Sequence, residues 1–394
     1  MSRNKLIIAS AGAGKTTYLI DKAFEIIDKR ENVKILITTY TRSNAEQIRV
    51  KVKKRNFERS GNYNIPKDIV IQEWFTFLLR EGVRPFKSLM DDSLKYKSIG
   101  LFPDFQYNIN RYKSENKILE HYFVNYKIIP NSISKFVCKT NEKIDDEVIN
   151  RLSSLYSYIF IDEVQDLAGY DLELIRELFK SPINILLVGD PRQVTYLTNQ
   201  PKLNSPYKNG KIEQYIKDKC NTLSVELDKK TLRESHRNNS HICDFSSRLY
   251  PSMDISLPCT CLKCRIPKNY EGLYVIREID VEKCKQKFIG ENIGVLRWQK
   301  AVHPEKNYGD SKGLTYQRVF IYPTKTIIDY LKDGNLIKEV KNKKGIIEEK
   351  DAFDIAKFYV AVTRANTSVF IIYDYKDEEI FIKGIQKYTE LKDN

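Results

Sequence analysis

The chain has 394 residues, 41% of them apolar and 30% charged, a composition that fits a globular protein of two or three domains and excludes a disordered or collagenous one. Its uninterrupted apolar stretches, Ile159–Ile161 and Ile185–Val188 among them, fall far short of the ~20 residues that span a bilayer, so no membrane partner is expected. A net charge of +14 favours polyanionic partners, nucleic acid first among them.

The chain opens as strand, glycine-rich turn and helix: Leu6–Ala9, Ser10–Lys15, then Thr16 to about Lys29, with Leu19, Ala23, Ile26 and Ile27 on one helical face. Buried-type strands are predicted at Val33–Thr38, Tyr158–Asp162 and Ile185–Gly189, with a helical pattern at Leu172–Leu178. Residues 85–150 are rich in Tyr, Asn, Lys and Ser without a clear strand run, and are predicted to form a mainly helical insertion. From about Leu227 a second series begins, with core strands at Asn292–Leu296, Arg318–Tyr322 and Ser368–Tyr373, and a polar hairpin or loop at Asp333–Lys350. Strands alternating with helices imply parallel sheets. The expected fold is therefore α/β, with two parallel-sheet lobes and the insertion in the first. Its divisions are 1–84 and 151–226 for the first lobe, 85–150 for the insertion and 227–394 for the second lobe.

The strongest chemical signal is Ala9-Ser10-Ala11-Gly12-Ala13-Gly14-Lys15-Thr16-Thr17, placed after a strand and opening a helix. Glycines there let backbone N–H groups turn toward phosphates, and the helix N-terminus favours negative charge. Lys15 is expected to reach the β- and γ-phosphates of ATP, and Thr16 to bind Mg2+. Tyr158–Asp162 delivers a second carboxylate, Glu163, beside Asp162. Asp162 is the expected second magnesium ligand and Glu163 the general base for the attacking water.

Asp162-Glu163-Val164-Gln165-Asp166 resembles the acidic motif of superfamily 1 helicases of the UvrD/Rep type, and further motifs follow in that family's order. Thr39-Tyr40-Thr41-Arg42-Ser43-Asn44-Ala45 is similar to the single-strand-contacting motif. Gly189-Asp190-Pro191-Arg192-Gln193-Val194-Thr195-Tyr196 resembles the third motif, with Gln193 as γ-phosphate sensor. Leu232-Arg233-Glu234-Ser235-His236-Arg237 resembles the fourth, Ser311-Lys312-Gly313-Leu314-Thr315-Tyr316 the fifth, and Tyr359-Val360-Ala361-Val362-Thr363-Arg364-Ala365 the sixth. The resemblance implies a P-loop nucleotide hydrolase with two RecA-like lobes, in which Arg237 and Arg364 supply transition-state charge and His236 and Gly313 lie by the nucleotide. It places Thr39, Tyr40, Thr41, Arg42, Tyr196 and Ser311 on single-stranded DNA or a tailed duplex, and implies 3′-to-5′ movement driven by closure of the two lobes. Trp74 and Phe75 are candidates for base stacking, with a place in the core as the competing reading. The basic run Arg49–Arg55 is either a phosphate-gripping face or a solvated helix face.

Departures from the family pattern are specific. The eight residues before Ala9 contain no adenine-reading Gln, His236 stands where a base-stacking Tyr is usual, Gly309 and Thr315 replace a His and a Glu, and Thr198 replaces a DNA-stacking aromatic. Only about a dozen residues separate Arg297 from Gly309, where larger relatives insert a helical domain. These features keep a rival open: a nucleotide-switched DNA-end sensor partnered with a nuclease. Cys259-Thr260-Cys261-Leu262-Lys263-Cys264 contains one C-x-x-C pair, but no second pair or spaced His pair accompanies it. Cys243, His241 or Cys284 could complete a metal site only by proximity in the fold, so free thiols in a cytoplasmic protein are expected.

Overall fold

The computed structural model describes residues 3–104, 117–195, 203–264, 268–341 and 347–389. Packing divides the chain into two units, Met1–Ala9 with Lys15–Thr231, and Ser10–Gly14 with Leu232–Asn394.

The first unit is built on a six-stranded, wholly parallel sheet in the spatial order Ile69–Glu73, Ile35–Thr39, Tyr158–Asp162, Asn184–Gly189, Asn4–Ile8, Val225–Asp228. Every residue of Ile35–Thr39 and Tyr158–Asp162 is buried, as expected of strands covered on both faces. The register sets Asp162 opposite Val188, and Gly189 opposite Ile8. The acidic pair, the third motif and the start of the phosphate loop therefore emerge at the same, carboxyl-terminal edge, where open α/β sheets bind ligands. Helices Lys15–Lys29 and Tyr170–Lys180 agree with the predicted pattern, and Arg42–Ser60 carries the basic run Arg49–Arg55. Arg42–Ser60 is fixed at both ends: Thr41 accepts the Asn44 N–H at its start, and Gly61, with φ +71°, closes its end.

The stretch predicted as a helical insertion contains helices Lys87–Met90, Ile118–Tyr122, Pro130–Lys143 and Glu147–Leu155. It also holds a small sheet in the order Gly100–Leu101, Lys127–Ile128, Phe123–Val124. Two-residue strands are too short to carry a period, which is why the sequence does not announce them. Ile133, Phe136 and Val137 of this segment share one core with Leu36, Trp74, Phe77 and Ile159.

Val225–Asp228 pairs in parallel with Asn4–Ile8, so Leu227 ends the first sheet rather than opening the second lobe. Lys5 stitches this edge through ion pairs to Glu226 at 2.8 Å and Asp228 at 2.7 Å. A polar edge strand of this kind lacks the apolar run that marks the central strands.

The second unit carries its own parallel sheet in the order Lys306–Asn307, Ile293–Arg297, Tyr316–Tyr322, Ala365–Ile372, Gly272–Ile276, Ile385–Lys387. Gly272–Ile276, fully buried, and the short Ile385–Lys387 are additions to the predicted strands. The polar segment forms an antiparallel hairpin of Ile337–Lys341 and Ile347–Asp351. A short parallel ladder pairs Glu234–Ser235 with Leu257–Pro258.

Candidate nucleotide-binding site

The buried strand Asn4–Ile8 carries the chain to Ala9, whose N–H donates to the Gly189 carbonyl at 2.9 Å. Gly12 and Gly14 turn the loop with φ of +73° and +79°, a region glycine enters without strain. The helix then begins at Lys15, whose side chain is buried with Nζ 4.0 Å from Glu163 Oε1. The Thr16 hydroxyl donates to Asp162 Oδ2 at 2.8 Å, while Asp162 Oδ1 accepts the Glu163 N–H at 3.0 Å. Glu163 sits in the left-handed region at φ +56°, a strained conformation of the kind that clusters at functional sites. The Gln165 amide donates to Glu163, and its Oε1 accepts the Asp190 N–H at 3.1 Å. A Cβ on Gly189 would lie 2.5 Å from Gln165 Oε1, so this close approach requires glycine. Asp190 accepts from Arg192 Nε at 2.8 Å and from Gln193 Nε2 at 2.8 Å, and Arg192 also donates to the Ala9 carbonyl at 3.3 Å.

The two buried aspartates are biased in opposite directions. Burial and the neighbouring Glu163 charge push the Asp162 carboxyl up to about 6, against the pull of Lys15 and the Thr16 hydroxyl. Burial also opposes charge on Asp190, but Arg192, Lys15 and the Gln193 hydrogen bond outweigh it and hold that carboxyl below its ordinary range. Asp162 and Thr16 offer the hard oxygen donors that suit Mg2+, and their 2.8 Å hydrogen bond brings those oxygens together. Lys15 supplies a cation for phosphate, so the residues present fit a magnesium–nucleotide. Gln165, Asp190 and Arg192 were not singled out by sequence reading. Their only sequence signal was membership of the two motifs, because nothing in a linear pattern shows that they lock together.

Ser10–Gly14 pack with the second unit. The His236 N–H donates to the Gly12 carbonyl at 3.0 Å, and a Cβ on Gly12 would lie 2.5 Å from Arg237 Cβ and 2.6 Å from Ser235 Oγ. Asn238 donates to the carbonyls of Thr363 at 3.1 Å and Ala365 at 2.7 Å, and Arg237 donates to Thr363 at 3.3 Å. The fourth and sixth motifs are thereby tied together within this unit. Arg364 is buried, with its guanidinium donating to the carbonyls of Val360 at 3.0 Å and Leu314 at 3.3 Å. In this conformation it braces its own unit and is not presented as an exposed finger. Gly313 adopts φ +85°.

The DNA candidates separate by burial. Trp74 is fully buried, its indole N–H donating to Asp171 Oδ1 at 2.7 Å, and Phe75 is buried with its ring 5.6 Å edge-on from that of Tyr40. Both are core residues in this structure; a ring without exposed face cannot stack a base. Thr39 is likewise buried, and the Ser311 hydroxyl is buried and donates to the Tyr308 carbonyl at 2.6 Å. Thr41 caps its helix, Tyr40 is half-buried, and Arg42 is exposed. Tyr196 and Thr198 lie outside the described residues.

The fold brings the cysteine-rich segment together with a histidine. The ligand atoms of His236, Cys259, Cys261 and Cys264 all lie within 4.8 Å of one another. The fold supplies the fourth group from the fourth motif, rather than Cys243, His241 or Cys284. Hydrogen bonds from Cys264 and Cys259 pull the Cys261 thiol down to about 6.

A parallel sheet whose edge presents a phosphate loop and a strand-end acidic pair, with a second parallel-sheet unit following, defines a P-loop nucleotide hydrolase with RecA-like lobes. The chain belongs to the AAA domain family, whose profile matches residues 1–199, and among its relatives it is of the UvrD/Rep-like, superfamily 1 kind. It is 22% identical over 292 residues to a probable DNA helicase II homolog of Mycoplasma capricolum subsp. capricolum, covering 61% of this chain and 38% of that one. It is 22% identical over 229 residues to RecBCD enzyme subunit RecB of Borreliella burgdorferi, covering 51% of this chain and 19% of that one. The chain therefore matches well under half the length of these relatives. Among solved structures, the arterivirus nonstructural protein 10 helicase is similar at a TM-score of 0.43 and 11% identity, over 95% of this chain and 60% of that one.

Proposed function

We propose that the chain is an ATP-dependent translocase or helicase acting on single-stranded DNA in the 3′-to-5′ direction. The observation that carries this reading is the joined set of Lys15, Thr16, Asp162, Glu163 and Gln165 at one sheet edge. Ser10 to Thr17 would hold the nucleotide phosphates, and Thr16 and Asp162 the magnesium ion. Bound there, magnesium neutralises charge on the β- and γ-phosphates. Glu163 takes a proton from the attacking water, and Gln193 reads the γ-phosphate. Arg237 and Arg364 meet charge that develops in the transition state, with His236 and Gly313 beside the nucleotide. Tyr40, Arg42 and Tyr196 are the proposed contacts to DNA.

A second reading is a nucleotide-switched sensor of DNA ends that licenses a nuclease without processive unwinding. The burial of Thr39, Trp74, Phe75 and Ser311 favours it, because four of the expected strand contacts are inside the protein. The similarity to RecB, by its name a subunit of an enzyme complex, also supports a partnered role.

ATP turnover with and without single-stranded DNA, followed by strand displacement on a 3′-tailed duplex, separates the two. DNA-stimulated turnover with displacement is the expected result. Stimulated turnover with no displacement transfers the assignment to the sensor, and no turnover under either condition removes both.

A further inference from the structure

We propose that His236, Cys259, Cys261 and Cys264 form a structural zinc site that clamps the fourth motif to the loop after the Leu257–Pro258 strand. Four ligand atoms mutually within 4.8 Å, three of them sulfur and one nitrogen, are the donor set and number of a closed structural zinc centre. Zn–S bonds of about 2.3 Å and a Zn–N bond of about 2.0 Å in a tetrahedron put neighbouring ligand atoms about 3.6–3.8 Å apart. Cys264 Sγ and His236 Nδ1 already stand at 3.7 Å, so the metal demands a contraction of under about an ångström elsewhere. An iron–sulfur cluster generally asks for four thiolates and fits the set less well.

The surroundings are built in the same sense. The ladder of Glu234–Ser235 with Leu257–Pro258 brings position 236 beside position 259, and the Cys259 N–H donates to the Ser235 carbonyl at 2.9 Å. The Cys261 N–H points at Cys259 Sγ from 3.4 Å, the kind of amide support that orients a metal-bound thiolate. A turn closed by the Cys264 N–H on the Cys261 carbonyl at 3.1 Å returns the third sulfur to the cluster. A two-residue ladder is weak by itself, and a metal crosslink is a physical reason for it to persist. The ladder holds in place the segment that carries Arg237 and whose His236 N–H meets the Gly12 carbonyl. Zinc is therefore a positioning element for the fourth motif. His236 then occupies its position as a ligand rather than as a substitute for a base-stacking tyrosine.

This inference does not depend on the activity proposed above. The test is metal analysis of the full chain purified from zinc-supplemented cells and dialysed without chelator, with Cys138→Ser as a control outside the cluster. One zinc per chain is expected in both. Cys261→Ser/Cys264→Ser should lose it, and His236→Ala should weaken retention against a competing chelator by more than the roughly 10-fold that loss of an outer-shell partner already costs. Cobalt(II) substitution of the wild-type chain should give the intense visible bands of a tetrahedral thiolate site, which reports on the site even where a variant folds poorly. Absence of both stoichiometric zinc and those bands overturns the proposal. So does a Cys261–Cys264 disulfide in the mapped, metal-free protein, or full zinc retention in the double variant.

Discussion

Lys15 and Glu163 stand 4.0 Å apart yet are proposed to do different work, and single substitutions should separate them. In the proposed mechanism Lys15 meets phosphate charge already present in the ground state, so Lys15→Ala should abolish nucleotide binding. Glu163, as the proposed base, acts only on the water, so Glu163→Gln should bind nucleotide and lose turnover by 10²-fold or more. Wild-type turnover in Glu163→Gln would remove the assigned base. Asp162 makes a pH-dependent prediction. Its carboxyl sits near 6 in the fold against an ordinary value of 3.8, so the unfolded chain releases that proton more readily. Its charge therefore costs stability above about pH 6, and the cost vanishes as pH falls toward 4. Asp162→Asn removes the charge and keeps one acceptor for the Glu163 N–H, while its NH2 can donate to the Thr16 hydroxyl. At pH 8, without nucleotide, it should raise stability by roughly 1–3 kcal/mol, with little change at pH 4, while magnesium–nucleotide binding weakens. Denaturant melts at the two pH values check the sign; equal effects at both would show that Asp162 is not the group carrying the burial cost.

At the scale of elements, the turn after Ile69–Glu73 and the helix Arg42–Ser60 each decide between a structural and a DNA-binding role. Trp74 ties the strand end to Asp171, which Ser134 of the helix Pro130–Lys143 also meets. Trp74→Phe leaves that buried carboxylate one donor short. It should cost about 1–3 kcal/mol in a chemical melt, with single-strand affinity preserved. Lost affinity at unchanged stability would return Trp74 to the DNA surface. Within the basic run, Arg49 donates to Glu46 and to the Ile71 carbonyl, and Arg55 pairs with Asp21 at 3.0 Å. Arg49 is half-buried among these contacts and Arg55 holds an exposed ion pair; Lys51, Lys53 and Lys54 of the same run are the charges to test. Reversing those three charges should make the salt dependence of single-strand binding shallower by about 0.7 per lost contact. An unchanged slope assigns the run to a solvated helix face.

For the molecule as a whole, the proposed hydrolysis assigns transition-state charge to Arg237 and Arg364. Arg237→Ala and Arg364→Lys should each lower ATP turnover by a large factor, up to ~10³–10⁵ for a true arginine finger. Nucleotide affinity should fall far less, because Lys15 remains. Lysine cannot reproduce the planar fork of arginine. It also cannot keep all the carbonyl contacts that Arg364 makes to Val360 and Leu314, so this variant needs a stability measurement beside the kinetics. Turnover reduced with the fold intact, and no longer stimulated by DNA, is the expected result for both. Near-wild-type turnover in both variants removes the second unit from the chemistry.

The sequence alone was sufficient for most of the central strands, though not for Gly272–Ile276, and for the phosphate loop and the acidic pair. Ile35–Thr39 and Tyr158–Asp162 are buried on both faces, so their apolar runs are continuous, and a loop that must turn toward phosphate needs glycine at fixed places. Both are local requirements, and local requirements are written in local residue order. Edge strand Val225–Asp228 and the two-residue strands of the insertion escaped, because partners far along the chain stabilise them rather than a pattern of their own. Burial was likewise decided only in three dimensions. Trp74 and Phe75 have the composition of a stacking platform, but a carboxylate 97 positions away makes Trp74 a core residue. The meeting of His236 with Cys259, Cys261 and Cys264 belongs to the same class. A ligand set that closes across a strand ladder has no linear spacing, since the backbone path between its members is set by the hydrogen bonds of the fold.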